Sequence, residues 1–282
     1  MVVRTGLFRC ARQVRSLSLD RLEPYFEKEF WLKMQRIVLL AGPSCVGKAP
    51  LIRGMRMFYP ELMGRFKQLV LFNDRPPRPG EEEGVDCFFR PRGEIEALRG
   101  KDGYIVADVR GELQALEIAQ VQRIFDAGQT PFFEGNPFLP ARLREVGLLG
   151  QFPAVSVFLS PLSRDEILYL KSLPLGVDLN KFISEVQRRK LLHRAARQKM
   201  HLSLRDLEEI EKRCASALTD MREAWKFDHV IALHDGEGND NWDACYYPIG
   251  SARKAMLAFA SVLRGEDPVE GMDDPWSEDL LA

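Results

Sequence analysis

Short apolar runs alternate with longer segments of helical periodicity along most of this 282-residue chain. The apolar runs predict strands at about 36–41, 68–72, 104–109, 130–134, 154–159 and 229–233. Between them apolar residues recur three and four positions apart, as on the buried face of a helix, for example at 113–127 and 251–263. Strands that alternate with helices predict an α/β fold, with a parallel sheet covered by helices on both faces.

The first predicted strand leads directly into a glycine-rich loop. The loop and its lysine fit G-x-x-x-x-G-K, the strand-to-helix pattern that binds nucleotide phosphates. Its glycines let the backbone approach a phosphate, and the lysine adds a positive charge at the terminal phosphates. The N-terminus of the next helix faces the same phosphates. The residues predicted to bind the phosphates of ATP are Gly42, Pro43, Ser44, Cys45, Val46, Gly47, Lys48 and Ala49.

The residue after the lysine departs from this pattern. A serine or threonine hydroxyl is usual there, because it binds the Mg²⁺ that accompanies the nucleotide. This chain has Ala49 followed by Pro50. Proline is compatible with the first turn of a helix, so the loop and helix can still form. One direct ligand is lost, but Mg²⁺ keeps several of its waters when it binds to proteins.

Composition and charge exclude several other classes of function. A net charge of −1 argues against electrostatic binding of nucleic acid, and no apolar run approaches the roughly 20 residues of a membrane span. The five cysteines are scattered without metal-like pairs, which indicates reduced thiols in a cytoplasmic protein. The alternative is a mitochondrial protein, because residues 1–19 contain four arginines and no acidic residue, as a transit peptide does.

The two ends of the chain differ from its middle. Residues 1–34 predict a basic and amphipathic N-terminal extension. Residues 265–282 contain seven acidic residues, two prolines and no lysine or arginine. This composition predicts a flexible acidic tail.

Three segments resemble the guanylate kinase-like family of P-loop nucleoside monophosphate kinases. The first is the strand and phosphate loop at 37–48, with its Pro-Ser after the first glycine. The second, at 75–86, is similar to the family segment that binds the acceptor phosphate, and the third is Lys212-Arg213 followed by 227–231. The resemblance covers about 35–264. It implies a three-layer P-loop NTPase fold, an acceptor-binding subdomain at about 68–128 and a lid at about 171–205.

The resemblance also implies roles for residues outside the loop. In the acceptor-binding segment it implies that Arg75 and Arg78 bind the acceptor phosphate, and bidentate arginine suits that task. Glu134, at the end of a predicted strand, would hold Mg²⁺ through water. The other acceptor-binding residues implied are Glu81 and Asn136. The catalytic residues implied are Lys48, Arg194, Arg197 and Arg213, the last three as cations of the lid or of the helix after it.

Two functions fit these residues. The first is an ATP- and Mg²⁺-dependent enzyme that moves the γ-phosphoryl group to a nucleoside monophosphate or a sugar phosphate. The acceptor is not fixed as GMP, because Cys87 stands at the place of a family tyrosine and 105–116 lacks the family's base-reading motif. The second is a catalytically inactive module that binds a protein or phosphopeptide in the acceptor cleft. Ala49 favours this inactive module, because it lacks the hydroxyl that binds Mg²⁺. Distortion of the loop by Pro50 would favour it as well.

Overall fold

The computed structural model describes residues 36–77, 80–174 and 176–282. The predicted N-terminal extension at 1–34 and the side chain of Arg78 lie outside the described residues. The strands are, in chain order, β1 (Ile37–Ala41), β2 (Phe66–Gln68), β3 (Leu71–Asn73), β4 (Cys87–Phe89), β5 (Tyr104–Val109), β6 (Glu112–Glu117), β7 (Thr130–Gly135), β8 (Ala154–Ser160) and β9 (His229–Ala232).

Helices fill most of the segments between the strands. They are α1 (Lys48–Phe58), α2 (Pro60–Met63), α3 (Arg92–Glu96), α4 (Ile118–Asp126), α5 (Phe138–Glu145), α6 (Leu148–Gln151), α7 (Arg164–Ser172), α8 (Leu179–Gln198), α9 (Leu204–Ala215), α10 (Ala217–Met221) and α11 (Gly250–Arg264). Within the described ranges, no helix is both long and apolar enough to cross a membrane.

The main sheet is parallel and has the strand order β2-β7-β1-β8-β9. The central strand β1 is buried along its whole length, which explains its unbroken apolar sequence. On one face Ile37 and Leu39 pack against residues of α4, α5 and α6. On the other side of the sheet α11 packs against α1 and β9. The predicted α/β fold, a parallel sheet with helices on both faces, is thereby confirmed.

The register of the main sheet brings several strand ends together. Ala41, the last residue of β1, pairs with Gly135 of β7 and with Phe158 of β8. Because the strands are parallel, their carboxyl ends lie at one edge of the sheet, where ligands of α/β proteins usually bind. The phosphate loop begins at this edge.

A second, smaller sheet has the order β4-β3-β6-β5 and lies within the region predicted to bind the acceptor. Strands β5 and β6 form a hairpin whose two-residue turn joins the pair Val109 and Glu112. The turn residues Arg110 and Gly111 have φ angles of 54° and 87°. Positive φ at both positions is the geometry of a type I′ turn, which matches the twist of the two strands.

Two details of the sequence prediction were wrong in this region. The segment 113–127, predicted as one helix, is the strand β6 followed by α4. Leu113 and Ala115 alternate on one side of β6 and pack with Ile95 and Val106, so pairing with β5 overrides the local helical periodicity. The predicted strand at 68–72 is divided between the ends of two strands, β2 and β3, which belong to different sheets.

The predicted lid at 171–205 consists of the end of α7, the whole of α8 and the start of α9. Asp178 accepts a hydrogen bond from the Lys181 amide and caps α8. Ser203 and Asp206 form a capping box at the start of α9. Side-chain oxygens at these positions satisfy amides that have no partner within the helix, so the sequence sets where both helices begin.

The acidic segment 265–282 is packed against the domain, contrary to the prediction of a flexible tail. Asp273 accepts a hydrogen bond from the Val230 amide at 2.9 Å, and the Asp274 amide donates to the Val230 carbonyl at 2.8 Å. Trp276 packs at a ring-centroid distance of 6.4 Å from Phe158. The acids therefore bind the edge strand β9, and apolar residues between them join the core.

We predict that Trp276→Ala destabilises the protein by about 3–5 kcal/mol, the usual cost of truncating a buried aromatic residue. Trp276 is 9% exposed, whereas Val269 in the same segment is 63% exposed. Val269→Ala is therefore the matched control and should change stability by about 0.5 kcal/mol or less. Urea unfolding measures both variants. Equal midpoints for the two would contradict a docked tail.

Candidate active site

The phosphate loop is wedged between the ends of neighbouring strands. A Cβ atom on Gly42 would lie 2.5 Å from the Leu159 carbonyl oxygen, and one on Gly47 would lie 2.8 Å from the Asp235 carbonyl oxygen. Gly47 also has a φ angle of 118°, which other residues rarely adopt. Both glycines of the motif are thus required by close backbone approach as well as by backbone conformation.

Lys48 begins helix α1 and folds back over the loop. Its Nζ atom donates to the Gly42 carbonyl at 3.0 Å and to the Pro43 carbonyl at 2.8 Å. The residue is only 7% exposed, and burial lowers the pKa of its ammonium group. The nearby carboxylates of Glu237 and Glu134 act in the opposite direction and favour the charged form. The ammonium is therefore held inside the phosphate loop by two of its carbonyl groups.

Pro50 does not prevent the helix from forming after the loop. Helix α1 starts at Lys48, and the Leu51 amide donates to the Gly47 carbonyl at 3.1 Å. Proline at this point removes only an amide that would have no partner within the helix. The neighbouring Ala49 is exposed and brings no metal ligand to the loop.

Glu134 lies near the end of β7, where it pairs with Leu40 of β1. Burial raises the pKa of its carboxyl group, while the charge of Lys48 opposes that change. Among the described residues there is no group of three or more His, Cys, Asp or Glu side chains that could hold a metal ion. A Mg²⁺ ion bound mainly by phosphates and water needs only one or two carboxylates, and Glu134 fits that requirement.

Two of the predicted acceptor-binding residues form a bidentate ion pair. Arg75 donates from Nη1 and Nη2 to the two carboxylate oxygens of Glu81, each at 2.7 Å. The side chains are 11% and 20% exposed. The guanidinium also lies 5.6 Å from the centroid of the Phe89 ring. These contacts fix the plane of the guanidinium in the small sheet.

Asn136 links the two sheets. Its Nδ2 donates to Gln114 Oε1 of β6 at 2.9 Å. Its Oδ1 accepts from the amides of Phe138 and Leu139 and so caps α5. The main contacts of Asn136 therefore hold the small sheet against the end of β7, and the sequence did not predict this positioning role.

The predicted lid arginines contact the segment after β9 rather than the phosphate loop itself. Arg194 forms an ion pair with Glu237 at 2.6 Å, and Arg197 donates to the Gly238 carbonyl and to Asp240, each at 2.5 Å. The Glu237 amide donates to the Cys45 carbonyl at 3.2 Å, so Arg194 is the nearer of the two to the loop. Arg213 lies in the last turn of α9.

The sequence did not predict a role for three residues near Ser44 of the loop. Two of them contact Ser44 directly, and the third pairs with one of these two. Arg110 Nη1 donates to Ser44 Oγ at 3.3 Å, and Gln187 Nε2 donates to the Ser44 carbonyl. Arg110 Nη2 pairs with Asp220 of α10. A lone arginine in a hairpin turn and two polar residues within helices carry no motif, so only the folded arrangement reveals them.

Cys45 in the loop is a buried thiol. Its Sγ donates to the Lys190 carbonyl at 3.3 Å, and burial raises its pKa to about 11. The same environment lowers the pKa of the buried Lys190 ammonium to about 8. Cys45 is therefore protonated at neutral pH and serves the loop as a small residue that fits, because the reactive form of cysteine is the thiolate.

Comparison with known proteins finds relatives that are named guanylate kinases, while no family model matches the chain. A Corynebacterium jeikeium guanylate kinase is 29% identical over 242 residues, which cover 83% of this chain and 98% of the relative. A Thermus thermophilus guanylate kinase is 28% identical over 201 residues, covering 70% of this chain and 73% of the relative.

Other matches are shorter or more distant. A Synechococcus guanylate kinase is 35% identical over 134 residues, and the chain spans only 58% of the length of that relative. Among solved structures, a guanylate kinase from Anaplasma phagocytophilum has a TM-score of 0.48 and 18% identity, covering 86% of this chain and 90% of that chain.

Proposed function

We propose that this chain, a divergent relative of the guanylate kinases, is an ATP-dependent nucleoside monophosphate kinase. The observation that carries the proposal is the formed phosphate loop, with the buried ammonium of Lys48, directly beside the small acceptor sheet. Contacts from Asn136 to Gln114 and from Arg110 to Ser44 join the two parts. These contacts support a proposed donor site that adjoins the proposed acceptor site.

Phosphoryl transfer needs positioning and charge neutralisation rather than a protein nucleophile. In the proposed mechanism the loop amides and the N-terminus of α1 bind the phosphates of ATP. Lys48 Nζ moves from the Gly42 and Pro43 carbonyls to the terminal phosphates. Glu134 would hold Mg²⁺ through water, and the ion would neutralise part of the negative charge of the phosphates.

The acceptor proposed is GMP, with its phosphate on Arg75 and Arg78. Glu81 keeps the Arg75 guanidinium in one plane by taking one N–H group from each Nη atom. The remaining N–H groups of a guanidinium that is fixed in this way suit the oxygens of a phosphate. The names of the relatives favour a nucleotide over a sugar phosphate. They give no support to a catalytically inactive module with a protein partner.

We expect the wild-type protein to release ADP from Mg-ATP faster with GMP than with AMP, CMP or UMP. A coupled ADP-release assay over these nucleotides measures the preference.

Lys48→Met should reduce turnover by about 100-fold or more, because it removes the charge that neutralises the transferring phosphoryl group. Circular dichroism of this variant provides the control for folding. A wild-type protein that turns over none of the four acceptors would overturn the proposal.

We expect Arg75→Lys to raise the KM for the acceptor by about 10- to 100-fold, with little change in the KM for ATP. Lysine keeps the positive charge but loses the bidentate fork, and charge-assisted bonds of this kind account for such a factor. Arg90→Lys is the matched control, since Arg90 pairs with Glu83 in the same sheet at a more exposed site. Equal effects of the two substitutions on the acceptor KM would exclude Arg75 as an acceptor ligand.

A further inference from the structure

Arg110 reaches from the small sheet to the phosphate loop. It occupies the turn of the β5–β6 hairpin with a φ angle of 54°, a conformation that residues other than glycine adopt only rarely. Its Nη1 donates to Ser44 Oγ at 3.3 Å, and its side chain is 19% exposed. The turn thus projects a largely buried cation against the loop from the acceptor side.

Asp220 fixes the guanidinium in that position. The carboxylate is buried in α10 and pairs with Arg110 Nη2. Burial raises the pKa of Asp220 only to about 6, so it is ionised at neutral pH. Within the described residues, Asp220 Oδ1 and Arg110 Nε are buried atoms without a hydrogen-bond partner. One carboxylate oxygen of Asp220 and one N–H group of Arg110 could therefore each make a further hydrogen bond beside the loop.

Lys48 and Arg110 bring two positive charges to the same end of the loop. Lys48 Nζ contacts the carbonyls of Gly42 and Pro43, and Arg110 contacts the next residue, Ser44. The charge of Arg110 lowers the pKa of Lys48, which shows that the two cations repel. An anion bound between them would be attracted by both cations, and these two attractions would offset the repulsion. The terminal phosphate of ATP is the anion that this end of such a loop binds.

We propose that Arg110 binds the terminal phosphoryl group of ATP on the phosphate loop and that Asp220 positions its guanidinium. Arg194 and Arg197 pair instead with the segment at 237–240. Arg110 enters from the acceptor sheet, so it contacts the phosphoryl group on the side toward which that group moves. This inference rests on one part of the proposed function, which is that ATP binds at the phosphate loop.

The test compares the affinities for ATP and ADP, because only ATP carries the terminal phosphate. The variant tested carries both Arg110→Gln and Asp220→Asn. Replacing both members of the ion pair avoids leaving one buried charge without its partner. We expect this double variant to bind ATP about 10- to 100-fold more weakly and ADP less than about threefold more weakly, by calorimetry with Mg²⁺. Arg110→Lys should give an intermediate loss for ATP.

Arg99→Ala is the matched control, because Arg99 lies in the same subdomain and pairs with Glu96 and Asp108 at the surface. It should change neither affinity, and thermal unfolding verifies that each variant is folded. Equal losses for ATP and ADP in the double variant, or unchanged ATP affinity, would overturn the role of Arg110. A wild type that binds ATP but phosphorylates no acceptor would contradict the proposed kinase function alone, and the comparison of ATP with ADP would still decide this inference.

Discussion

The close packing of the phosphate loop between the carboxyl ends of the strands is the constraint on which the site depends. Gly42 approaches the carbonyl of Leu159, and Gly47 approaches the carbonyl of Asp235, at distances that leave no room for a side chain. This packing turns the chain from the buried strand β1 into α1. It thereby fixes Lys48 at the edge of the sheet, where Glu134 and the small sheet also lie.

Buried charge is the second constraint on the site. Lys48 and Arg110 at the loop are balanced by Glu134, Asp220 and Glu237, which lie within range of electrostatic interaction with Lys48. Burying charges is costly unless they are paired, so this arrangement gives up stability to hold cations ready for an anion. A cluster of this kind suits phosphate binding, in which positions must be set before the ligand arrives.

The sequence predicted the parts that depend on local patterns. The loop motif predicted the position of Lys48, and the apolar runs predicted the buried strands. Both predictions use patterns that extend over only a few neighbouring residues. Long-range pairing decided the rest. Strand β6 was predicted as helix because its partner β5 is not visible in local periodicity. The tail was predicted to be flexible from its acidic composition, yet its Trp276 packs into the core. Arg110 was overlooked because its contacts lie 66 and 110 positions away in the sequence.

The most direct test of the account is a calorimetric titration of the wild-type protein with ATP, with and without Mg²⁺. We propose that the loop binds nucleotide phosphates although Ala49 lacks a hydroxyl, because the glycine packing, Lys48 and the helix N-terminus are all retained. We therefore expect saturable binding of ATP that Mg²⁺ strengthens. Absence of ATP binding up to millimolar concentrations, with or without Mg²⁺, would contradict the account.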